Sequence, residues 1–141
     1  MNSLWLENKK LTFRNNSSIG EISSNEAFVK VRLAGICTTD LEMVKGYYGF
    51  TGIPGHEFVG EVVESPTVRE WIGKRVVGGI NITCGDCDAC KRGNINHCQN
   101  RKTIGLIGHD GVFGEYIRLP LKNLTEIPEQ VSDEKAVSVI K

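Results

Sequence analysis

The chain has 141 residues, 40% of them hydrophobic, enough for one domain with a real core and too few for two of ordinary size. Lys and Arg number 17 against 17 Asp and Glu, so the net formal charge is zero; with no basic stripe of the kind phosphate backbones require, nucleic acid is not expected as a partner. No apolar run approaches the length that crosses a bilayer, so no membrane is expected, and the opening Met1-Asn2-Ser3-Leu4-Trp5 lacks a basic, apolar signal segment. Together with 5 cysteines, this points to the reducing cytoplasm.

In chain order, Leu4-Trp5-Leu6, Asn8-Lys9 and Leu11-Thr12-Phe13 predict an opening hairpin, with Trp5 anchoring an edge. Residues 27–36 predict a longer strand whose apolar members are Phe28, Val29, Val31 and Leu33. Thr38 or Thr39 caps a short helix over 40–45, ended by Gly46. Cys37 then lies at a helix N-terminus, where backbone donors and the helix dipole favour the thiolate. Tyr47, Tyr48 and Phe50 follow and can line a small-molecule cleft, although core or interface packing is the more ordinary fate of such clusters.

Residues 58–63, 74–78 and 113–119 carry the β-branched pattern of further strands, with Trp71 as a second edge anchor. Gly105, Gly108, Gly111 and Gly114 recur every three residues in a loop and read as turn chemistry; His109 among them reads as a solvated turn residue. Ser132 caps a last helix running through Ile140. Its apolar Ala136, Val137, Val139 and Ile140 have nothing beyond them to pack on, so the chain is expected to be part of a longer protein. Many short strands and 16 glycines make a small, mainly β barrel.

Cys84, Cys87 and Cys90, closed by Cys98 after seven intervening residues, carry the strongest chemical signal. Four thiolates suit tetrahedral zinc, and a closed set of four leaves no position for water or substrate, which makes the site structural. Disulfide frameworks belong to short, secreted, cysteine-dense chains, and an iron–sulfur run of the ferredoxin type brings its last cysteine sooner and follows it with proline, where Gln99 stands here. Unligated buried thiols fit poorly in so polar a loop. His97 beside Cys98 is an alternative ligand, more simply an exposed loop histidine. Taken singly, Cys37 reads as a small buried hydrophobe and His56, in Gly55-His56-Glu57, as a satisfied turn residue. Beside the four-cysteine lobe, the two become complementary ligands of a second metal, with the Glu57 carboxylate adjacent.

These segments together resemble the zinc-dependent, medium-chain alcohol and polyol dehydrogenases. The resemblance is carried by Gly35-Ile36-Cys37-Thr38-Thr39-Asp40, Ile53-Pro54-Gly55-His56-Glu57-Phe58-Val59-Gly60, Gly73-Lys74-Arg75-Val76, the cysteine lobe, Asp110-Gly111-Val112-Phe113-Gly114-Glu115-Tyr116, and Ile127-Pro128 before the Ser132 helix. It covers nearly the whole chain and implies a GroES-like catalytic barrel over residues 1–141, with its zinc lobe at 84–98. It further implies that Cys37 and His56 hold a catalytic zinc, with Glu57 as an alternate ligand. Thr39 would pass on the alcohol proton, and Asp40 would support the site from behind. Thr38 would then be the helix cap. Cys84, Cys87, Cys90 and Cys98 would hold the structural zinc.

The implied activity is oxidation of an alcohol or polyol by hydride transfer to NAD(P). Many members carry a histidine five residues after the cysteine ligand, where this chain has Glu42; this favours a sugar or polyol substrate over a simple alcohol or an amino alcohol such as threonine. No G-x-G-x-x-G opens a βαβ unit, so the Rossmann domain that holds the nicotinamide is absent from these residues. The third protein ligand of the catalytic zinc would lie beyond the last helix, so the isolated domain is expected to be inactive, and monomeric or weakly associated. Two other readings remain at this point. One is a non-catalytic, zinc-stabilised β-barrel module. The other is a zinc-independent quinone reductase, which Cys37, His56 and the four lobe cysteines argue against.

Overall fold

A computed structural model describes residues 1–138; Val139 and Ile140, assigned above to the last helix, lie outside the described residues. The chain is mainly β, as expected. Strands β1 (Ser3–Glu7) and β2 (Lys10–Arg14) form the predicted hairpin. Its two-residue turn places Asn8 and Lys9 at φ 51° and 64°, the mirror-image turn whose twist matches that of the flanking strands. Trp5 stacks under Arg14, whose guanidinium carbon stands 4.1 Å from the ring centre.

The central sheet has the order β10-β5-β4-β3-β9, built from β3 (Glu26–Gly35), β4 (Glu57–Glu64), β5 (Arg75–Gly78), β9 (Tyr116–Pro120) and β10 (Leu124–Glu126). A small sheet of β6 (Asn81–Ile82), β7 (Lys102–Ile104) and β8 (Gly108–His109) flanks the cysteine lobe, which carries the short helix α2 (Asp88–Lys91). Bridges from Ser3 to Gly114 and from Leu6 to Gly52 tie the hairpin to the loops, and the whole curls into a half-barrel. Residues 113–115, expected in the last long strand, lie outside β9. Phe113 bonds away from β3: its N–H donates to Pro54 O at 3.0 Å, and its carbonyl accepts from Leu4 of β1 at 2.8 Å.

One buried cluster fills the inside of the curl: Ala27, Val29, Phe58, Val62, Val76, Ile104, Val112, Ile117, Leu119 and Leu124. The alternation of these residues along each strand is what a sheet with a buried inner face requires. In β3 the alternation changes phase. Val29 and Val31 face this cluster, but beyond Arg32 it is Ala34 that does so, while Leu33 turns to the other side. The cause is a bulge: Val31 pairs with Gly60 and Leu33 with the adjacent Val59, leaving Arg32 unmatched.

The opposite face holds a second cluster of Val59, Ile127 and Ala136, with Leu33, Val77, Val131 and Val137 packed on it. The last helix, α3 (Asp133–Val137), covers that face, with the predicted Ser132 as its cap. Its apolar residues Ala136 and Val137 are therefore packed on the sheet, contrary to the expectation that they lack a surface to pack on. Asp133 fastens the helix. Its carboxylate accepts from Arg32 Nε at 2.9 Å and from Arg75 at 2.6 Å, and Arg75 also donates to the Pro128 carbonyl at 3.0 Å. The hydrogen bond from Arg32, and the cationic pair as a whole, hold the Asp133 carboxyl below the usual carboxylate range.

Because the folded pKa of Asp133 is depressed, its contribution is complete above the ordinary carboxylate pKa of about 4 and is lost as the pH falls through the lower folded value. Asp133→Asn should lower the unfolding temperature by a few degrees at pH 7, and the gap to the native protein should close between about pH 4 and lower pH. A gap that stays constant with pH in thermal scans would remove the charge pairing as its cause.

Candidate metal centres

The end of β3 and the start of β4 build the first centre. Gly35 pairs with Glu57, so the residues just past one strand and just before the other are held side by side, and Cys37, His56 and Glu57 converge. One ligand atom from each lies within 4.8 Å of the others. Gly35 has no side chain because the Glu57 carboxylate occupies the space: a Cβ there would lie 3.0 Å from Glu57 Oε2. Beyond Gly35 comes α1 (Thr38–Val44), whose N-cap is Cys37, neither of the threonines proposed for it. Asp40 explains the difference. Its carboxylate accepts from the Cys37 backbone N–H at 2.9 Å, which fixes Cys37 as the cap.

Asp40 has a second role. Its other oxygen stands 3.6 Å from Nδ1 of His56, and both atoms are buried without a hydrogen-bond partner. Burial raises the Asp40 carboxyl above its usual range and Glu57 adds to this, while the Cys37 N–H and His56 oppose it. A carboxylate behind one ring nitrogen of a histidine orients the ring so that the other nitrogen can ligate. An imidazole oriented in this way, beside a thiol and a carboxylate, gives the donor set expected where a cation is to be held. The Thr39 hydroxyl lies 3.7 Å from Cys37 Sγ, on the edge of this cluster, while Thr38 is exposed. Glu42 is half-buried on α1.

His56 is held in place from behind by backbone contact. Gly55 abuts the loop 105–113: Gly111 N–H donates to Ile53 O at 2.6 Å and Val112 N–H to Gly55 O at 3.0 Å. A Cβ on Gly111 or Gly105 would overlap the Gly55 carbonyl. The three-residue glycine spacing, read from sequence as turn chemistry alone, therefore also marks the close approach that seats His56. Asp110 joins in, since its Oδ1 accepts from the Ile53 N–H at 3.0 Å. Nothing in its residue type announced that role.

The second centre is the lobe. Cys84, Cys87, Cys90 and Cys98 also lie within 4.8 Å of one another. All are free thiols, and Cys84 Sγ is 3.6 Å from Cys98 Sγ, far beyond a disulfide bond. Four sulfurs at about 2.3 Å from a tetrahedral zinc stand about 3.8 Å apart, so the cluster has the dimensions of that ion. The N–H groups of Asp86 and Cys87, at 3.4 and 3.3 Å from Cys84 Sγ, lower its thiol to about 6, the Asp86 bond acting most strongly. Hydrogen bonds from the Gln99 and Cys90 backbone also lower Cys87, while desolvation pushes Cys90 up to about 12. A thiol so raised keeps its proton until a cation displaces it. His97 is exposed and takes no part in the cluster.

One other sequence reading changes, and one left open is decided. His109 is not a free turn residue: it lies in β8, half-buried, and desolvation lowers its pKa. Tyr47 and Tyr48 are 61% and 59% exposed, so they are not core residues. Phe50 is half-buried and, with Tyr48, lines a cavity.

A curled, mainly β domain with one closed four-thiol cluster and one Cys–His–Glu cluster is a domain built around metal sites, and both groups could hold zinc. The chain belongs to the alcohol dehydrogenase GroES-like domain family, whose sequence model matches residues 23–129. This bears out the resemblance to the zinc-dependent medium-chain dehydrogenases. An L-threonine 3-dehydrogenase of Chelativorans sp. (strain BNC1) is 39% identical over 141 residues, covering 94% of this chain and 38% of that protein. A solved structure described as a short chain alcohol dehydrogenase of Escherichia coli CFT073, complexed with cofactor NADH, superposes with a TM-score of 0.86. It is 35% identical and covers 97% of this chain and 41% of its own. A protein assigned as a zinc-binding dehydrogenase, from Sinorhizobium meliloti 1021 and bound to NADP, gives a TM-score of 0.81 at 37% identity, covering 94% and 40%. The chain thus spans less than half the length of each. No helix among the described residues is long and apolar enough to cross a membrane.

Gly111→Ala should destabilise the protein by about 1–3 kcal/mol and lower the metal content of the Cys37 centre while leaving the lobe filled. Gly79→Ala, whose new Cβ would come no closer than 3.5 Å to any neighbour, should be nearly neutral. Denaturant unfolding and metal analysis of both variants check this, and equal effects would rule out the Gly55 contact as the seat of His56.

Proposed function

We propose that this chain is the catalytic domain, residues 1–141, of a zinc-dependent oxidoreductase that oxidises an alcohol by hydride transfer to NAD(P). The observation that carries the reading is the convergence of Cys37, His56 and Glu57 within 4.8 Å, apart from the closed lobe of Cys84, Cys87, Cys90 and Cys98. Four thiolates saturate a tetrahedral ion and leave it only a structural task, whereas Cys37 and His56, with Glu57 beside them, leave room for a further ligand. A zinc ion held there supplies Lewis acidity that lowers the pKa of a bound alcohol.

The chain's own residues do the rest. Asp40 fixes Cys37 through the backbone N–H and faces Nδ1 of His56, so one carboxylate orients both proposed ligands. The Thr39 hydroxyl, 3.7 Å from the Cys37 sulfur, can accept a proton at Oγ1 and donate its own, as a relay from a substrate hydroxyl requires. No dinucleotide fingerprint occurs in the sequence, and the chain spans 38% of the L-threonine 3-dehydrogenase it resembles, so we place nicotinamide binding outside these residues. Polyols and amino alcohols both fit as substrates. The acidic Glu42 favours the first, and the likeness to an L-threonine 3-dehydrogenase favours the second. A non-catalytic module would have no use for a Cys–His–Glu cluster backed by a buried carboxylate.

In the full-length protein, Thr39→Val should lower kcat for alcohol oxidation about 100-fold or more with KM little changed, and Thr39→Ser should restore most of it. Steady-state kinetics with NAD and NADP test this; an unchanged kcat in Thr39→Val removes the relay.

A further inference from the structure

The three residues ahead of His56 are gripped by four consecutive residues of one loop. Ile53 N–H donates to the Asp110 carboxylate at 3.0 Å, and Ile53 O accepts from the Gly111 N–H at 2.6 Å. Pro54 O and Gly55 O accept from the N–H groups of Phe113 and Val112, each at 3.0 Å. Three of these four bonds join main chain to main chain, which leaves residue type almost free. The fourth needs a side-chain acceptor, so the identity of residue 110 is where the sequence sets the grip.

Gly55 is the reason a grip is needed. At φ 97° it has the backbone freedom of glycine, and it is the link that carries His56. Left unrestrained, a rotation there swings the imidazole away from Cys37 and Glu57. Asp110 is itself held. His109 Nδ1 lies 2.7 Å from the Asp110 carbonyl, which can only accept, so Nδ1 carries the proton and donates to it. Gly52 leaves space for the carboxylate, since a Cβ there would lie 2.6 Å from Asp110 Oδ1. Ile53 is fully buried, so losing the acceptor strands its N–H away from water.

We propose that Asp110 is a positioning residue for the Cys37 centre: it lies outside the ligand cluster, yet by holding Ile53 it sets where His56 stands and so how tightly Cys37, His56 and Glu57 retain a cation. The proposal rests on the metal reading of that centre. Asp40 orients the ring of His56, and Asp110 fixes the main chain from which the ring hangs.

The test is a titration of the full-length protein with buffered free zinc, counting ions bound per chain; the binding step missing from Cys37→Ser is that of the Cys37 centre. Asp110→Ala should need about tenfold more free zinc to half-fill that centre, with the lobe step unmoved. Asp110→Asn keeps an oxygen acceptor and should bind like the native protein. Ser65→Ala removes a buried hydrogen bond to the Val68 carbonyl, at the far end of β4 from His56. It should lower the unfolding temperature and leave both binding steps in place. The positioning role is overturned if the Cys37 step of Asp110→Ala matches the native one, if both steps weaken together, if Asp110→Asn binds as weakly as Asp110→Ala, or if Ser65→Ala weakens the Cys37 step as much. A native protein without a step that Cys37→Ser removes overturns the metal reading, and this proposal with it.

Discussion

The antiparallel pairing of β3 with β4 is the constraint on which the rest of the structure depends. Their shared register places Gly35 opposite Glu57, and this brings Cys37 beside His56, 19 positions away in the chain. The Arg32 bulge sets the register at the metal end. It rotates the last turn of β3 so that Ala34 stays in the core while Leu33 crosses to the face under α3. The same Arg32 then clamps Asp133, so one irregular residue both aims the strand and docks the helix.

Around that pairing, the two centres are built by opposite strategies. The lobe is local: its four cysteines fall within 15 positions of sequence, and backbone N–H groups aimed at Cys84 prepare thiolate before any ion arrives. The Cys37 centre is long-range, assembled from two strand ends, a helix cap and the glycine contact beneath Gly55. A local site tolerates distortion elsewhere in the fold. The long-range one inherits every error in the sheet, which is why a distant glycine should matter to His56.

Much of this was legible in the sequence, for reasons that differ by element. The hairpin was readable because Asn8-Lys9 suits a two-residue turn, and the lobe because thiolate spacing is itself the geometry. The Ser132 cap was readable from a single residue type. The α1 cap was not: two threonines stood where a cap is expected, and only the hydrogen bond from the Cys37 N–H to Asp40 shows that the helix begins one residue earlier. His109 was misread because a glycine-rich loop looks solvated until one sees it folded against a wall of the cavity. The glycine spacing was noticed, but turn geometry and backbone contact leave the same trace in a sequence, and only structure separates them.

Whether the domain holds two distinct zinc centres is read from zinc per chain, by elemental analysis of protein purified without chelator, in the native form and in Cys37→Ser and Cys84→Ser. Two centres require about two zinc ions in the native protein, one lost with each variant. A single zinc lost only with Cys84→Ser would contradict the Cys37–His56 centre, and no zinc with oxidised thiols would contradict both.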